Sequence, residues 1–294
     1  MKDRLGRVGI WTIALAWGSA AEARGFAAEA EELGYGALWF GEAPSGKESL
    51  SNAAVLLAAT QRITVATGIS NIWARDATAM RAGGDTLAEA FPGRFLHGLG
   101  VSHLDAVSMR GHDYGKPVST MRAYLDAMDA VDYTAAAPAE PTPRVLAALR
   151  PKMLELARDR TAGAHPYFVP TEHTRRARDV LGADPILAPE QAVVLETDPV
   201  RAREIAREHM SRYLAMPNYV NSLLWLGFTE DDVAGGGSDR LVDALVAWGD
   251  ADAISARVRE HHDAGADHVA VQPLGSISDA RNQIRELAPA LLAD

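Results

Sequence analysis

The sequence predicts an α/β protein folded as a (β/α)8, or TIM, barrel with a helical insertion before the last strand. Three observations carry this. Helix-period segments end in glycine-containing turns and pass at once into short β-rich runs: AEAEELGYGALWFGEA (28–43), TLAEAFPGRFLHGLGVSH (86–103), ARDRTAGAHPYFVP (157–170) and RVREHHDAGADHVAVQPLG (257–275). Glycine suits the left-handed position that stops a helix. The β-rich runs are continuously apolar, as strands buried on both faces of a parallel sheet are. Eight of them fit into 294 residues, close to a barrel of about 250 residues with insertions.

The runs are Val8–Ala14, Ala37–Gly41, Ile63–Ser70, Phe95–Val101, Arg144–Leu149, Ala164–Val169, Ala192–Glu196 and His268–Leu274. Helical segments between them imply right-handed crossovers. An open dinucleotide-binding sheet would carry G-x-G-x-x-G in its first βα turn, and VGIWTIALAWGSA lacks it. Gly98-Leu-Gly100 comes nearest, but His103 stands at the third glycine. YTAAAPAEPTPR (133–144) is a Pro/Ala-rich surface linker. Asp198 to Gly249 is too long for one crossover helix. Asp198 as N-cap and Pro199 at the first helical position open one helix. Pro217 and Asn218 interrupt it, and NYVNSLLWLGF begins a second. EDDVAGGGSDR then reads as a flexible turn and RLVDALVAWG as a further helix. No shift in composition divides the chain, so residues 1–294 are expected to form a single domain with an insertion at about 198–249.

Composition excludes several functions. Cysteine is absent, so there is no disulfide framework, thiolate nucleophile or cysteine metal site. The net charge of −10 disfavours nucleic-acid backbones without a basic patch. Only four lysines occur, at 2, 47, 116 and 152, so most cations are arginine. No stretch is apolar for long enough to span a bilayer. Met1 to Gly9 lacks the apolar run of a signal peptide. No membrane association and a cytoplasmic location are therefore expected.

A barrel's site lies at the C-terminal ends of its strands. Those positions hold Trp11, Thr12, Trp17, Glu42, TGISNIWARD, Ser102, His103, Arg150, Pro151, His165, Tyr167, Thr171, Glu172 and His173. Aromatics, histidines and arginines outnumber the two acids. That suits a large planar anionic ligand better than a divalent cation, and no metal is expected. His261 and His262, on the last crossover helix, read as solvated surface. His97 reads as a packed histidine of the barrel interior. A serine hydrolase would need a G-x-S-x-G elbow, which is missing.

ATGISNIWARD (66–76) followed by TLAEAFPGRFLHGLGVSH (86–103) resembles the luciferase-like monooxygenase superfamily. PYFVPTEHTRRAR, PNYVN, GGGSDRL and WGDADAISARVREHHDAGADHV narrow the likeness to its branch of oxidoreductases dependent on the deazaflavin coenzyme F420. The likeness covers essentially the whole chain. It implies a (β/α)8 barrel with an insertion, hydride transfer at the central carbon of the cofactor ring, and a homodimer.

By this resemblance, Gly68-Ile69 matches a non-prolyl cis peptide that backs the ring. Such a bond costs about 3–4 kcal/mol and persists where a ligand site uses it. Glu42 stands where many members carry an Asp at the ring edge. The neighbouring position, often a proposed acid–base His, is Ala43, and an acid expected after the fourth strand's Gly-x-Gly is Val101. His103, at a strand end facing the expected ring, is the substitute for proton exchange, with Glu42 the other catalytic candidate. Asn71 and Trp73 fall in the ring-contacting loop. Arg75 either binds the cofactor tail or fixes that loop through an acid. Arg150 replaces a family glycine near the phosphate site, where it can bind the anion or block its approach. Thr12, Ser102, His165, Tyr167, Thr171 and His173 complete the cofactor-binding candidates, and Thr171 reads as a helix N-cap. Three functions stay open at this point: an F420-dependent oxidoreductase acting on a small-molecule substrate, an FMN-dependent monooxygenase using O2 and a reductase partner, and a non-catalytic cofactor-binding homologue.

Overall fold

A computed structural model describes residues 1–293. Eleven short strands form one curled parallel sheet flanked by helices. They are β1 (Val8–Trp11), β2 (Ala37–Phe40), β3 (Thr64–Thr67), β4 (Ser70–Asn71), β5 (Phe95–Gly100), β6 (Arg144–Leu146), β7 (Gly163–Ala164), β8 (Ile186–Leu187), β9 (Glu190–Leu195), β10 (Val246–Gly249) and β11 (Val269–Pro273). The order is β10-β9-β11-β1-β2-β3-β5-β6-β7-β8, with β4 beside β5. The runs predicted as strands contain strands, but several are shorter. Val8–Ala14 breaks after Trp11 into a 3-10 turn, Ile13–Ala16, capped by the Thr12 side chain. Ala164–Val169 is mostly irregular, because His165 to Pro170 lift away as a loop. β8 was not anticipated, its two residues being too short for a pattern to register.

Helix ends follow local chemistry. Ser19 and Glu22 form a capping box on Ala20–Leu33, and Asp76 caps Ala77–Ala90 through Ala79 N. Asp198 caps Pro199–Leu214 as expected, accepting from Val200 N and Arg201 N. Thr171 is not a cap: Pro170 precedes the helix Thr171–Leu181, and no side chain caps it. RLVDALVAWG is also not wholly helical. The helix Asp239–Leu245 ends and Val246–Gly249 pairs with β9. The β-branched Val246 and aromatic Trp248 favour that state. The expected flexible turn is built around Asp232, which accepts from Thr229 N, Ser238 Oγ and Arg240.

Period-2 alternation sorts the strand side chains. Trp11, Trp39, Ala66, Leu96, Val145, Ile186, Ala188 and Ala270 pack together on the concave face of the sheet. Their neighbours pack outward against helices in a larger cluster. A third cluster joins Phe168, Ala192, Val194 and Val246 to the helices of the 199–245 segment. His97 belongs to the outer layer, since a Cβ on helical Gly84 would lie 2.7 Å from its Nδ1. It is packed, but on the helix side rather than inside the curl. His261 is buried, not solvated, with Nδ1 bonded to Thr174 Oγ1 at 2.8 Å and Nε2 to Gln191 Oε1 at 2.9 Å.

Candidate active site

The peptide bond Gly68–Ile69 is cis. Strand register shows what the chain does there. Ala66 pairs with Leu96 and Ser70 with Leu99, so four steps on one strand span three on its neighbour. This is a one-residue bulge at the C-terminal end of the sheet. Gly98 and Gly100 make room for it: a Cβ on Gly98 would lie 1.9 Å from Thr67 O, and one on Gly100 would lie 2.4 Å from Ile69 Cγ1. The Gly-x-Gly of the sequence therefore serves close backbone approach, not a dinucleotide. Both Gly68 and Ile69 keep partial exposure, forming a floor at the strand ends.

Two polar atoms flank that floor. A Cβ on Gly68 would meet Trp11 Nε1 at 2.5 Å and His165 Nε2 at 2.9 Å. Both atoms are buried without a hydrogen-bond partner among the described residues, a costly state unless a ligand answers them. His165 Nδ1 bonds to Ala188 O at 2.7 Å. That bond assigns the proton to Nδ1 and leaves Nε2 an acceptor. Burial pushes His165 down to about 4, so the ring stays neutral. Tyr167 packs on Trp11 with centroids 4.9 Å apart. Its hydroxyl donates to Gln272 Oε1 at 2.9 Å and pairs with Tyr213 OH at 2.8 Å.

The second wall comes from Ser102 and His103. Ser102 adopts φ 60°. His103 packs against Tyr219 with the rings tilted and their centroids 5.4 Å apart. Burial holds its imidazole below the usual range, and its Nδ1 has no partner among the described residues.

Other predicted site residues stand back from this opening. Glu42 accepts from Asn71 N at 2.7 Å, from Ser49 N at 3.2 Å and from Arg75 in a short ion pair. Arg75 also reaches Glu48 at 2.6 Å. This is the loop-fixing alternative for Arg75. It leaves Glu42 with both oxygens engaged. Asn71 Oδ1 accepts from Trp73 N, and Trp73 Nε1 donates to Val101 O, at 3.0 Å each. Together these residues brace the bulge. Arg150 is exposed at the start of the helix Pro151–Arg160. His173 is buried and bonds Leu149 O through Nε2 at 2.7 Å, fixing the loop before Arg150. Thr171 lies on an outer depression with Phe228 and Arg257, away from Gly68.

Sequence reasoning missed the residues that roof the opening. Tyr213 and Tyr219, from the helices Pro199–Leu214 and Pro217–Leu226, pack with Phe168 at 4.9 and 5.4 Å. Beside Phe168 lies Glu190, 1% exposed. Its Oε2 accepts from Phe168 N at 3.0 Å, and its Oε1 has no partner among the described residues. Burial raises this carboxyl to about 8. The available signal was an acid inside the apolar run ILAPEQAVVL. The tyrosines gave no signal, because aromatic residues at helical spacing look like core.

Solved structures of the same fold include an F420-dependent secondary alcohol dehydrogenase in complex with an F420–acetone adduct. It has a TM-score of 0.76 and 14% identity, over 98% of this chain and 99% of its own. The coenzyme F420-dependent tetrahydromethanopterin reductase of Methanopyrus kandleri gives 0.72 at 15%, over 97% and 99%. The oxygenating constituent of 3,6-diketocamphane monooxygenase from Pseudomonas putida, a type II Baeyer–Villiger enzyme in complex with FMN, gives 0.71 at 16%, over 97% and 98%. At these identities the likeness is one of fold. The family pattern described as luciferase-like monooxygenase matches residues 6–268. The chain belongs to this luciferase-like family of oxidoreductases and monooxygenases.

Proposed function

We propose that this protein is an oxidoreductase that uses coenzyme F420 to transfer a hydride to or from a small organic substrate. The observation that carries the reading is the partly exposed Gly68–Ile69 floor with the unanswered Trp11 Nε1 and His165 Nε2 beside it. A flat ring with polar edges fits such a floor, and the fold relatives named above include two F420-dependent enzymes beside one in complex with FMN. Bound there, a deazaflavin supplies a two-electron hydride carrier.

The chain's own residues do the rest. Gly68 and Ile69 would back the ring, with Trp11, Tyr167 and Ser102 the residues that would hold it laterally. Near-attack contact gains rate through this positioning. Tyr213, Tyr219 and Phe168 keep water from the substrate side. His103, whose imidazole burial holds below the usual range, borders the substrate side as a group able to exchange a proton. Arg150 lies on the exposed rim, where an anionic tail would run. Glu42, Arg75, Asn71 and Trp73 hold the bulge in shape. Thr12 and His173 hold backbone around the opening, through Ala14 N and Leu149 O.

The strand path supports a closed ring of eight positions: β1, β2, β3/β4, β5, β6, β7, β8/β9 and β11. The support is backbone bonding on both edges of 186–195, from Ala188 N to Ala164 O and from Ala270 N to Pro189 O. We read residues 196–245 as an insertion on that ring.

Isothermal titration with oxidised F420 and with FMN tests the cofactor. Micromolar or tighter F420 binding is expected. FMN binding without F420 binding overturns the proposal in favour of a flavin monooxygenase.

A further inference from the structure

A hydride reaction on a carbonyl or alcohol also moves a proton. The two positions that the family resemblance marks for this are Ala43 and Val101 here, and Glu42 is fully engaged by Arg75, Asn71 and Ser49. One carboxyl elsewhere fits. Glu190 is the first residue of β9, and Gln191 points outward to Leu245 O and His261. By alternation Glu190 faces the concave side, with Ala188. Its Oε2 is fixed by Phe168 N, while its buried Oε1 has no partner among the described residues.

The titratable groups within electrostatic reach of it are Tyr167 from the loop after β7, Tyr213 from Pro199–Leu214 and Tyr219 from Pro217–Leu226, and Phe168, which donates to it, packs on Tyr213 and Tyr219. Arg212 is the cation acting on Tyr213, Tyr219 and His103, from an exposed position. His103 and His209 pack on the same rings and are held neutral by burial. Tyr213 OH bonds Tyr167 OH, and Tyr167 rests on Trp11 beside the Gly68 floor. The cluster thus joins Glu190 to the floor. Around these rings burial raises one titratable group, Glu190, and lowers another, His103, an arrangement in which environment pushes the two apart.

We propose that Glu190 is the proton donor of this site, acting toward the oxygen of an uncharged carbonyl substrate held against the Tyr167–Tyr213–Tyr219 cluster. The substrate class rests on the same cluster, which is aromatic and carries no fixed charge. In carbonyl reduction the C=O π bond opens, and its oxygen takes the proton that Glu190 releases. The carbonyl carbon takes a hydride, with its electron pair, from a reduced deazaflavin, the cofactor class of the proposed function on which this step rests; a new C–H bond forms and the deazaflavin is left oxidised. Glu190 is left as carboxylate and regains a proton from water.

The test separates the two readings. The apoprotein is titrated with 4-dimethylaminobenzaldehyde, whose absorption moves to the red when its carbonyl accepts a strong hydrogen bond or a proton. Wild type should bind it with a red shift that fades with a midpoint near pH 8. Glu190→Gln keeps the acceptor for Phe168 N and should bind with the shift lost. Tyr167→Phe, a milder change, should lessen it. No binding by wild type, or a full shift in Glu190→Gln, overturns the proposal. With reduced F420, Glu190→Gln should lower kcat by about 100-fold, leave KM and F420 affinity near wild type, and flatten the alkaline limb of the pH profile. An unchanged kcat overturns the donor role. If F420 does not bind wild type, the cofactor reading alone falls, the aldehyde titration still decides on Glu190, and the kinetic arm is run with reduced FMN.

Discussion

Glu42 and Glu190 are both buried carboxyls near the same end of the sheet, and their neighbours make them different tools. Glu42 has a guanidinium and two backbone N–H groups around it, a set that suits a fixed anion. Glu190 has one backbone N–H and no bonded cation. Its folded pKa of about 8 lies above the ordinary carboxylate value of 4.5. A raised pKa contributes stability below about pH 4.5, and that contribution is lost as pH rises toward 8. Glu190→Gln should therefore gain Tm relative to wild type as pH goes from 5 to 8. Differential scanning calorimetry of both proteins across that range checks it, and a constant difference would contradict the burial argument. Residue-scale legibility in the sequence was uneven for the same reason. His103, Gly68 and Ile69 sit where a strand ends, which a pattern can reveal. The state of Glu190 depends on what surrounds it in space, which one chain position does not reveal.

At the scale of elements, the bulge between β3 and β4 organises the opening. Its sequence signal came through the family resemblance at Gly68-Ile69, while the steric demands that Gly98 and Gly100 answer show only in the fold. Other boundaries were less legible. Val246–Gly249 looked helical because VDALVAW continues an apolar pattern, and only pairing with β9 makes it a strand. Gly68→Ala tests the floor directly. Its Cβ would lie 2.5 Å from Trp11 Nε1, so Trp11 must shift, at roughly 1–3 kcal/mol of overpacking. Cofactor affinity should fall at least about tenfold, equivalent to about 1.4 kcal/mol. Retained affinity, measured by the same titration, would show that the floor does not bind the ring.

At the scale of the molecule, burial keeps an unusual number of histidines neutral. His97 and His261 are pushed down to about 3, and His165, His173, His209 and His268 to about 4. His268 accepts from Trp39 Nε1 at 3.0 Å and bonds Gly6 O at 2.9 Å, so its ring ties the inner layer together. A lowered folded pKa contributes stability above the unfolded value of 6.5, lost as pH falls toward 3–4. Tm should decline from about pH 6.5 downward and steepen toward pH 4, through histidines as well as carboxylates. A flat Tm between pH 6.5 and 5 would show that these rings are more hydrated than their packing indicates. The overall architecture was the most legible level. Repeated helix–Gly–strand units specify a parallel sheet whatever the loops do, whereas loops that fold back over the opening leave no period to detect. No helix among the described residues is long and apolar enough to cross a membrane.

The segment 186–195 divides one of its edges between two partners. Ala188 N and Glu190 N bond back to Ala164 O and Pro166 O, and from Ala192 onward the same edge carries β10, while β11 lies along the other. The loop bearing Tyr167 and the strand closing the 199–245 segment therefore meet at one junction, with Glu190 on it. Tightening on one side transmits load to the other. Occupancy of the opening should then be felt at Val246–Gly249, across the junction. Slower amide exchange there upon binding would be the sign that the strand acts as a remote gauge of the site.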